Sequence, residues 1–195
     1  MFMKKENTKI VDYKIIDDFL PQKEFQDIQT YLMNDIENTS DIDKKSRPPL
    51  AWAYNPNIVQ STYYEGLNNP NSSSQNVKHF YMVHMVYLVN VLSPLYDKLI
   101  LILKKLDVKA LMRIKCNLYP NSETIYEHET HADFPFSHKT AILSVNTCDG
   151  YTKLNDGTKI GSVANRMLLF DASIPHQSTT TSDTTARFNI NFNYF

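Results

Sequence analysis

A chain of 195 residues suits one domain with a sizeable core, and 42% hydrophobic with 12% aromatic content excludes a disordered polypeptide. The formal net charge is -1, and the lysine pairs Lys4-Lys5, Lys44-Lys45 and Lys104-Lys105 are short and far apart, so no basic stripe for nucleic acid is present. Two cysteines, Cys116 and Cys148, without a Cys-x-x-Cys pattern, exclude a disulfide framework.

A reducing, cytoplasmic setting is the simplest expectation. Met1 to Asp12 is polar and lacks the apolar run of a signal peptide. The most apolar stretch, Phe80 to Leu103, is interrupted by His84, Asn90, Ser93, Pro94, Asp97 and Lys98 and fails as a membrane span. The chain reads as soluble.

The first predicted element is a strand carrying Ile10, Val11, Tyr13, Ile15 and Ile16, followed by a helix with Pro21 in its first turn. Phe25, Ile28 and Leu32 recur at helical spacing and mark its buried face. Asn38–Pro49 and Asn68–Gln75 are rich in turn-forming residues and read as loops. Ser93-Pro94 starts a second helix, because serine can cap and proline suits the first helical position. Leu95, Leu99, Ile102 and Leu106 form its apolar face, and Lys104 with Lys105 suit the negative end of its dipole. This helix is expected to pack on one face of a sheet.

From Ala110 the pattern changes. Met112, Ile114, Cys116 and Leu118 alternate with Arg113, Lys115, Asn117 and Tyr119, the period of a half-buried strand. Further strands are predicted at Thr140–Val145, Met167–Phe170 and Arg187–Tyr194. Asp149-Gly150 and Asp156-Gly157 read as hairpin turns, since glycine and aspartate tolerate positive φ. No fixed-period repeat is present. The expectation is one domain over 1–195, with residues 1–109 as a mixed support region and residues 110–195 as an all-β barrel or jelly-roll core.

Three features of the core carry chemistry. Two imidazoles and a carboxylate can take one face of an octahedral iron and leave positions open for oxygen and a chelating cosubstrate. His131-Ala132-Asp133 offers a pair two residues apart, on one side of a strand, and His176 can supply the second imidazole from another strand. With 6 histidines and 21 acidic residues, a His-x-acid pair is close to what chance supplies, and alone His131 reads as a surface histidine. The last strand adds weight. Phe188, Ile190, Phe192 and Tyr194 form one side, and Arg187, Asn189, Asn191 and Asn193 the other. A guanidinium on a side that faces a barrel interior needs an anion, and a dicarboxylate cosubstrate would supply it. The alternative is that Arg187 pairs with a surface acid.

His128 lies three residues before His131 and would ligate only in a different register. His138 is placed in a turn, and His79 and His84 in packing or surface roles. Trp52 and Tyr54 could floor a substrate pocket, although aromatics in short strands usually belong to a core. No nucleophile elbow and no phosphate-binding glycine loop occurs.

In order, Asn117-Leu118-Tyr119-Pro120, His131-Ala132-Asp133, Thr140–Asn146, Asp149-Gly150-Tyr151-Thr152, Asn165–Asp171, Pro175-His176 and Ala186-Arg187-Phe188 resemble the 2-oxoglutarate and Fe(II)-dependent oxygenases, particularly the prolyl-4-hydroxylase-like branch. Ile15–Leu20 before a helix is also similar to many members. The resemblance implies a mainly β (α+β) fold, a double-stranded β-helix with N-terminal helices packed on its major sheet. It implies Fe(II) bound by His131, Asp133 and His176, and the distal carboxylate of 2-oxoglutarate held by Arg187, with Tyr119, Thr140 and, more weakly, Asn117 along that pocket. O₂ is the further cosubstrate, succinate and CO₂ are products, and peptidyl-proline hydroxylation is the nearest named activity. Ser144 departs from hypoxia-sensing relatives, which carry a tyrosine there. Asp149-Gly150 stands for the usual glycine pair, a change to a turn rather than to the chemistry. Retention of Asp133 argues against the halogenating branch. The expected partner is a small-molecule, peptide or protein substrate, with no nucleic acid or membrane. Specificity is expected in Asn38–Pro49, Asn68–Gln75 and the stretch between Tyr119 and His131. The competing reading is a non-catalytic jelly roll that binds a metal or ligand.

Overall fold

The computed structural model describes residues 12–33, 50–56 and 80–195. The loops expected at Asn38–Pro49 and Asn68–Gln75, the residues Ile10 and Val11, and His79 lie outside the described residues. Among those described, the chain is mostly β, with antiparallel sheets and two helices.

β1 (Tyr13–Ile16) leads into α1 (Gln22–Met33), and the short β2 (Ala53–Asn55) precedes β3 (Tyr81–Leu88) and β4 (Asn90–Val91). α2 (Leu95–Lys105) is followed by β5 (Leu111–Pro120), β6 (Lys139–Ser144), β7 (Tyr151–Leu154) and β8 (Lys159–Gly161). β9 (Met167–Asp171), β10 (His176–Gln177) and β11 (Ala186–Tyr194) complete the order. The larger sheet runs β1-β9-β6-β11-β5-β3-β2 with β4 beside β3, and the smaller runs β10-β7-β8.

The alternation in β11 is what sorts the two sides of the larger sheet. Ile190, Phe192 and Tyr194 join one buried cluster with Phe25, Ile28 and Leu32 of α1 and Leu95, Leu99 and Ile102 of α2. Each such side chain contributes about 1.5–3 kcal/mol when fully buried. The opposite side holds Arg187, Asn189, Asn191 and Asn193, all buried and all polar. In register across β5 they face Tyr119, Asn117, Lys115 and Arg113.

α2 begins as its sequence dictates: Pro94 is helical at φ -59°, and the Ser93 hydroxyl accepts the Leu95 N–H at 3.2 Å. Among the described residues no helix is long and apolar enough to cross a membrane. Asn165, with φ of 64°, fastens the N-terminal part to the β8–β9 connection. Its Oδ1 accepts the Leu20 N–H at 2.9 Å, its Nδ2 donates to the Leu20 carbonyl at 2.8 Å, and its carbonyl accepts the Phe19 N–H at 3.0 Å. Arg166 adds a two-point ion pair to Asp17 at 2.5 and 2.9 Å.

Asp156-Gly157 makes the expected hairpin between β7 and β8, with Gly157 at φ +89°. Asp149-Gly150 does not. It lies on the passage from β6, whose neighbours are β9 and β11, to β7 in the other sheet, and Gly150 has no positive φ. A hairpin needs consecutive strands that pair, and these two do not.

The segment 121–138 was expected to present His131 and Asp133 from a strand. It holds only isolated bridges, Glu127 to Thr179 and His131 to His176 among them. Glu127 clips this segment to the smaller sheet: Oε1 accepts the Tyr151 hydroxyl at 2.5 Å, and Oε2 accepts Lys153 Nζ at 2.6 Å. Lys159 reaches the same carboxylate at 3.0 Å.

Hydrogen bonds from Lys153, Tyr151 and Lys159 hold Glu127 down to about 2. A carboxyl depressed in the folded state contributes stability above its unfolded value, about 4.3, and loses it as pH falls through the folded one. Glu127→Gln is therefore expected to cost about 1 kcal/mol at pH 7, since the group is partly solvated, with the cost fading as pH falls toward 2 and gone below it. Denaturant midpoints of both proteins across that range test it.

Candidate metal centre

His131 and His176 reach each other through the backbone. The His131 N–H donates to the His176 carbonyl at 3.0 Å and the reverse bond is 2.8 Å, which brings the ring centroids to 4.6 Å. The Asp133 N–H donates to the Ala172 carbonyl at 3.2 Å, so the next residues follow the β9–β10 connection. One ligand atom from each of His131, Asp133 and His176 lies within 4.8 Å of the others. The three residues singled out in the sequence come together, although local pairing with β10 does the work that a strand was expected to do.

The imidazoles are oriented for ligation. Nδ1 of His176 stands 3.0 Å from the Ile174 carbonyl, and Nδ1 of His131 is 3.4 Å from the Glu129 carbonyl. A carbonyl only accepts, so Nδ1 carries the hydrogen and Nε2 keeps the lone pair a metal requires. Burial, then the neighbouring His176, pushes His131 down to about 4, which keeps it neutral over most of the working range.

Asp133 is the hub of a polar network that sequence reasoning missed. Oδ1 accepts Arg113 Nη2 at 2.7 Å. Oδ2 accepts Asn191 Nδ2 at 2.9 Å, Asn193 Nδ2 at 3.1 Å and the Thr140 hydroxyl at 3.3 Å. Burial works to raise its pKa, but Arg113, His176, Lys115 and the Asn191 hydrogen bond outweigh it and hold the carboxylate ionised. Oδ1 takes one donor and so retains a lone pair for a cation. Thr140, expected along the cosubstrate pocket, directs its hydroxyl to Asp133 and accepts Asn193 Nδ2 at 2.8 Å. Arg113 lies over the Phe134 ring at 5.0 Å and donates through Nε to Asn193 at 3.0 Å.

Arg187 is 1% exposed. Its Nη1 donates to the Thr179 carbonyl at 3.3 Å, its Nη2 to the Thr152 hydroxyl at 3.0 Å, and its Nε has no hydrogen-bond partner. No acidic residue among those described pairs with it, and burial pulls its pKa down. Tyr119 lies beneath the guanidinium at 5.5 Å, stacks on Tyr81 at 5.7 Å and bonds Ser178 and Asn189. Asn117 donates to Asn189 at 2.8 Å, and its own Oδ1 is buried without a partner. Gly150 touches the same side chain: a Cβ there would sit 2.7 Å from Arg187 Cδ and from the Thr180 carbonyl. This glycine, expected to shape only a turn, makes the room that Arg187 occupies.

Among the described residues, the other histidines are not grouped with His131, Asp133 and His176. His128 is buried, with Nδ1 2.8 Å from the Ser178 hydroxyl. His138 is buried among Phe134, Phe136 and Phe195. His84 links the Ala51 carbonyl to the Ser93 hydroxyl at 2.8 and 2.7 Å. Trp52 packs edge-on against His84 and Phe188, whereas Tyr54 is 61% exposed, so the pair forms no shared floor. Ser144 pairs by register with Asn189. The residues missed, Arg113, Lys115, Asn191 and Asn193, were already sorted onto the polar sides of two alternating strands, which was the available signal.

No protein-family model matches the chain, and no curated protein matches it in sequence. Solved structures do match in fold. A prolyl hydroxylase from Trichoplax adhaerens, in complex with a peptide fragment of a hypoxia inducible factor oxygen degradation domain, aligns over 94% of this chain and 83% of its own at TM-score 0.61 and 15% identity. A prolyl-4-hydroxylase from Pseudomonas putida aligns over 94% and 92% at TM-score 0.58 and 12% identity. The epimerase SnoN, in complex with Fe3+, alpha ketoglutarate and nogalamycin RO, aligns over 95% and 79% at TM-score 0.60 and 10% identity. In fold, therefore, the chain is similar to two prolyl hydroxylases and to an epimerase solved with Fe3+ and alpha ketoglutarate.

Proposed function

We propose that this chain is an Fe(II)- and 2-oxoglutarate-dependent dioxygenase that hydroxylates a small molecule or a peptidyl residue. The observation that carries this is Arg187: a buried guanidinium with no acidic partner among the described residues, on the same polar side of β11 as the two asparagines that hold Asp133. Arg187 and Asn191 are four residues apart, about 14 Å along a strand. Two inward-reaching side chains and a five-carbon diacid can bridge that span.

The donor set fits the metal: two imidazoles with Nε2 lone pairs and one ionised carboxylate, the facial set of non-haem iron. When bound, Fe(II) with 2-oxoglutarate and O₂ supplies the oxidising chemistry, and succinate and CO₂ leave. The protein's own part is positional. Arg113, Asn191, Asn193 and Thr140 fix the Asp133 carboxylate, the carbonyls of Ile174 and Glu129 fix the imidazoles, and Arg187 with Thr152 receives the distal carboxylate, with Tyr119 beneath and Asn117 farther along β5. In this reading residues 1–195 are one domain, a double-stranded β-helix core over 110–195 with the helices of 1–109 backing its larger sheet. Peptidyl proline is the first substrate to test, because a neighbour in fold is a prolyl hydroxylase in complex with a peptide fragment.

A second reading, a non-catalytic binding module, draws on Asp133, whose two oxygens already accept four hydrogen bonds. Anaerobic Fe(II) with 2-oxoglutarate separates the two. The dioxygenase gives a weak visible charge-transfer band that His131→Ala abolishes; a folded wild type without the band is the binding module.

Arg187→Gln is expected to weaken 2-oxoglutarate by about 100-fold, the scale for truncating one partner of a buried charge pair, while metal affinity holds. Gly150→Ala should show the same selective loss, because the added methyl displaces Arg187. Arg113→Gln should do the reverse and lower metal affinity about 10- to 100-fold, as loss of a carboxylate's supporting donor does. Titration of metal and cosubstrate by calorimetry reads all three.

A further inference from the structure

The polar face of β5 carries four side chains into the interior, and three of them are accounted for. Arg113 is bound to Asp133 and Asn193, Asn117 to Asn189, and Tyr119 to Ser178 and Asn189. Lys115, in register with Asn191 between them, is different. Its ammonium lies 5.6 Å from the centre of the Tyr81 ring, and no carboxylate among the described residues pairs with it. It is only partly exposed, and burial, then the neighbouring Arg113, lowers its pKa to about 8. Its charge reaches the metal ligands, contributing to the lowered values of both His131 and Asp133.

The charges around the site leave Lys115 without an anionic neighbour. Three cations, Arg113, Lys115 and Arg187, face one carboxylate, Asp133. Asp133 answers Arg113, and a divalent metal and a doubly charged cosubstrate cancel in sum, so two positive charges remain: the cosubstrate's far end would lie against Arg187, whereas Lys115 has no anion beside it. Substrate entry displaces water from the cavity, and a neutral substrate would strand the Lys115 ammonium beside Arg113 in a medium that strengthens their repulsion. An anionic substrate group removes that penalty.

We propose that Lys115 anchors an anionic group of the substrate, a carboxylate or a phosphate, close to the metal centre. This rests on the dioxygenase reading and deepens it, since it selects acids over neutral compounds at the same site. It also separates Lys115 from the cosubstrate, whose carboxylate has Arg187.

The test uses the full chain with Zn(II) in place of iron and saturating 2-oxoglutarate, a redox-inert form. Saturation-transfer NMR measures affinity for two matched pairs: N-acetyl-L-proline against N-acetyl-L-prolinamide for a carboxylate, and phenyl phosphate against phenol for a phosphate. At least one acid is expected to bind tenfold or more tightly than its neutral twin, and the pair that shows this names the group. Lys115→Gln should erase the preference, Lys115→Arg should keep it, and 2-oxoglutarate affinity should stay within twofold in both. Equal affinity within both pairs for wild type overturns the proposal, as does a preference that survives Lys115→Gln. A tenfold loss of 2-oxoglutarate affinity in Lys115→Gln also overturns it, because Lys115 then belongs to the cosubstrate. A wild type that binds no 2-oxoglutarate ends the dioxygenase reading itself, whereas normal cosubstrate binding without acid preference ends the Lys115 assignment alone.

Discussion

Arg187 is held in the interior by a carbonyl, a hydroxyl and the face of Tyr119, and none of these neutralises its charge. Burying an ion without a counterion costs several kcal/mol even after a protein relaxes around it. Much of the surrounding structure is arranged around that cost. The smaller sheet brings Thr152 to one nitrogen, the 176–181 stretch brings the Thr179 carbonyl to another, and position 150 is bare so that the side chain can lie there at all. In the proposed reading, a diacid is the anion that offsets this charge.

The same strand serves two incompatible solvents. One side of β11 is packed into the apolar cluster with both helices, and the other holds one arginine and three asparagines. Because side chains alternate strictly along a strand, packing on the first side fixes the direction of every polar group on the second. Asn191 and Asn193 are thereby aimed at Asp133 without any loop having to hold them. The hydrogen-bond geometry around Asp133 is inherited from core packing, which makes it stiff.

This explains what could be read in the sequence. The periodicities of β5 and β11, the Ser93-Pro94 helix start and the Asp156-Gly157 hairpin are local signals and came through, as did the meeting of His131, Asp133 and His176. Asp149-Gly150 did not, because a turn dipeptide carries no record of which sheet each flanking strand joins. Nor did the conformation of residues 121–138, whose bridges depend on partners roughly fifty residues away. The hydrogen bond from the Thr140 hydroxyl to Asp133 was not legible either, since strand alternation gives the side of a residue and not its partner. The alternation also put Arg113 and Lys115 on the inner face beside Tyr119. What one dimension could not show is that the first is engaged by Asp133 and the second by no acid described.

β1 has a further consequence for handling this protein. It is four residues long and occupies the rim of the larger sheet, covering the outer hydrogen-bonding groups of β9. Besides its ladder to β9, its anchorage includes Asn165 with Phe19 and Leu20, Arg166 with Asp17, and Lys105 with the Phe19 carbonyl. Trimming the polypeptide past those residues would bare a ladder of unsatisfied amides on β9, a template on which another molecule's strand can zip, so self-association would be the first symptom of an over-shortened amino terminus.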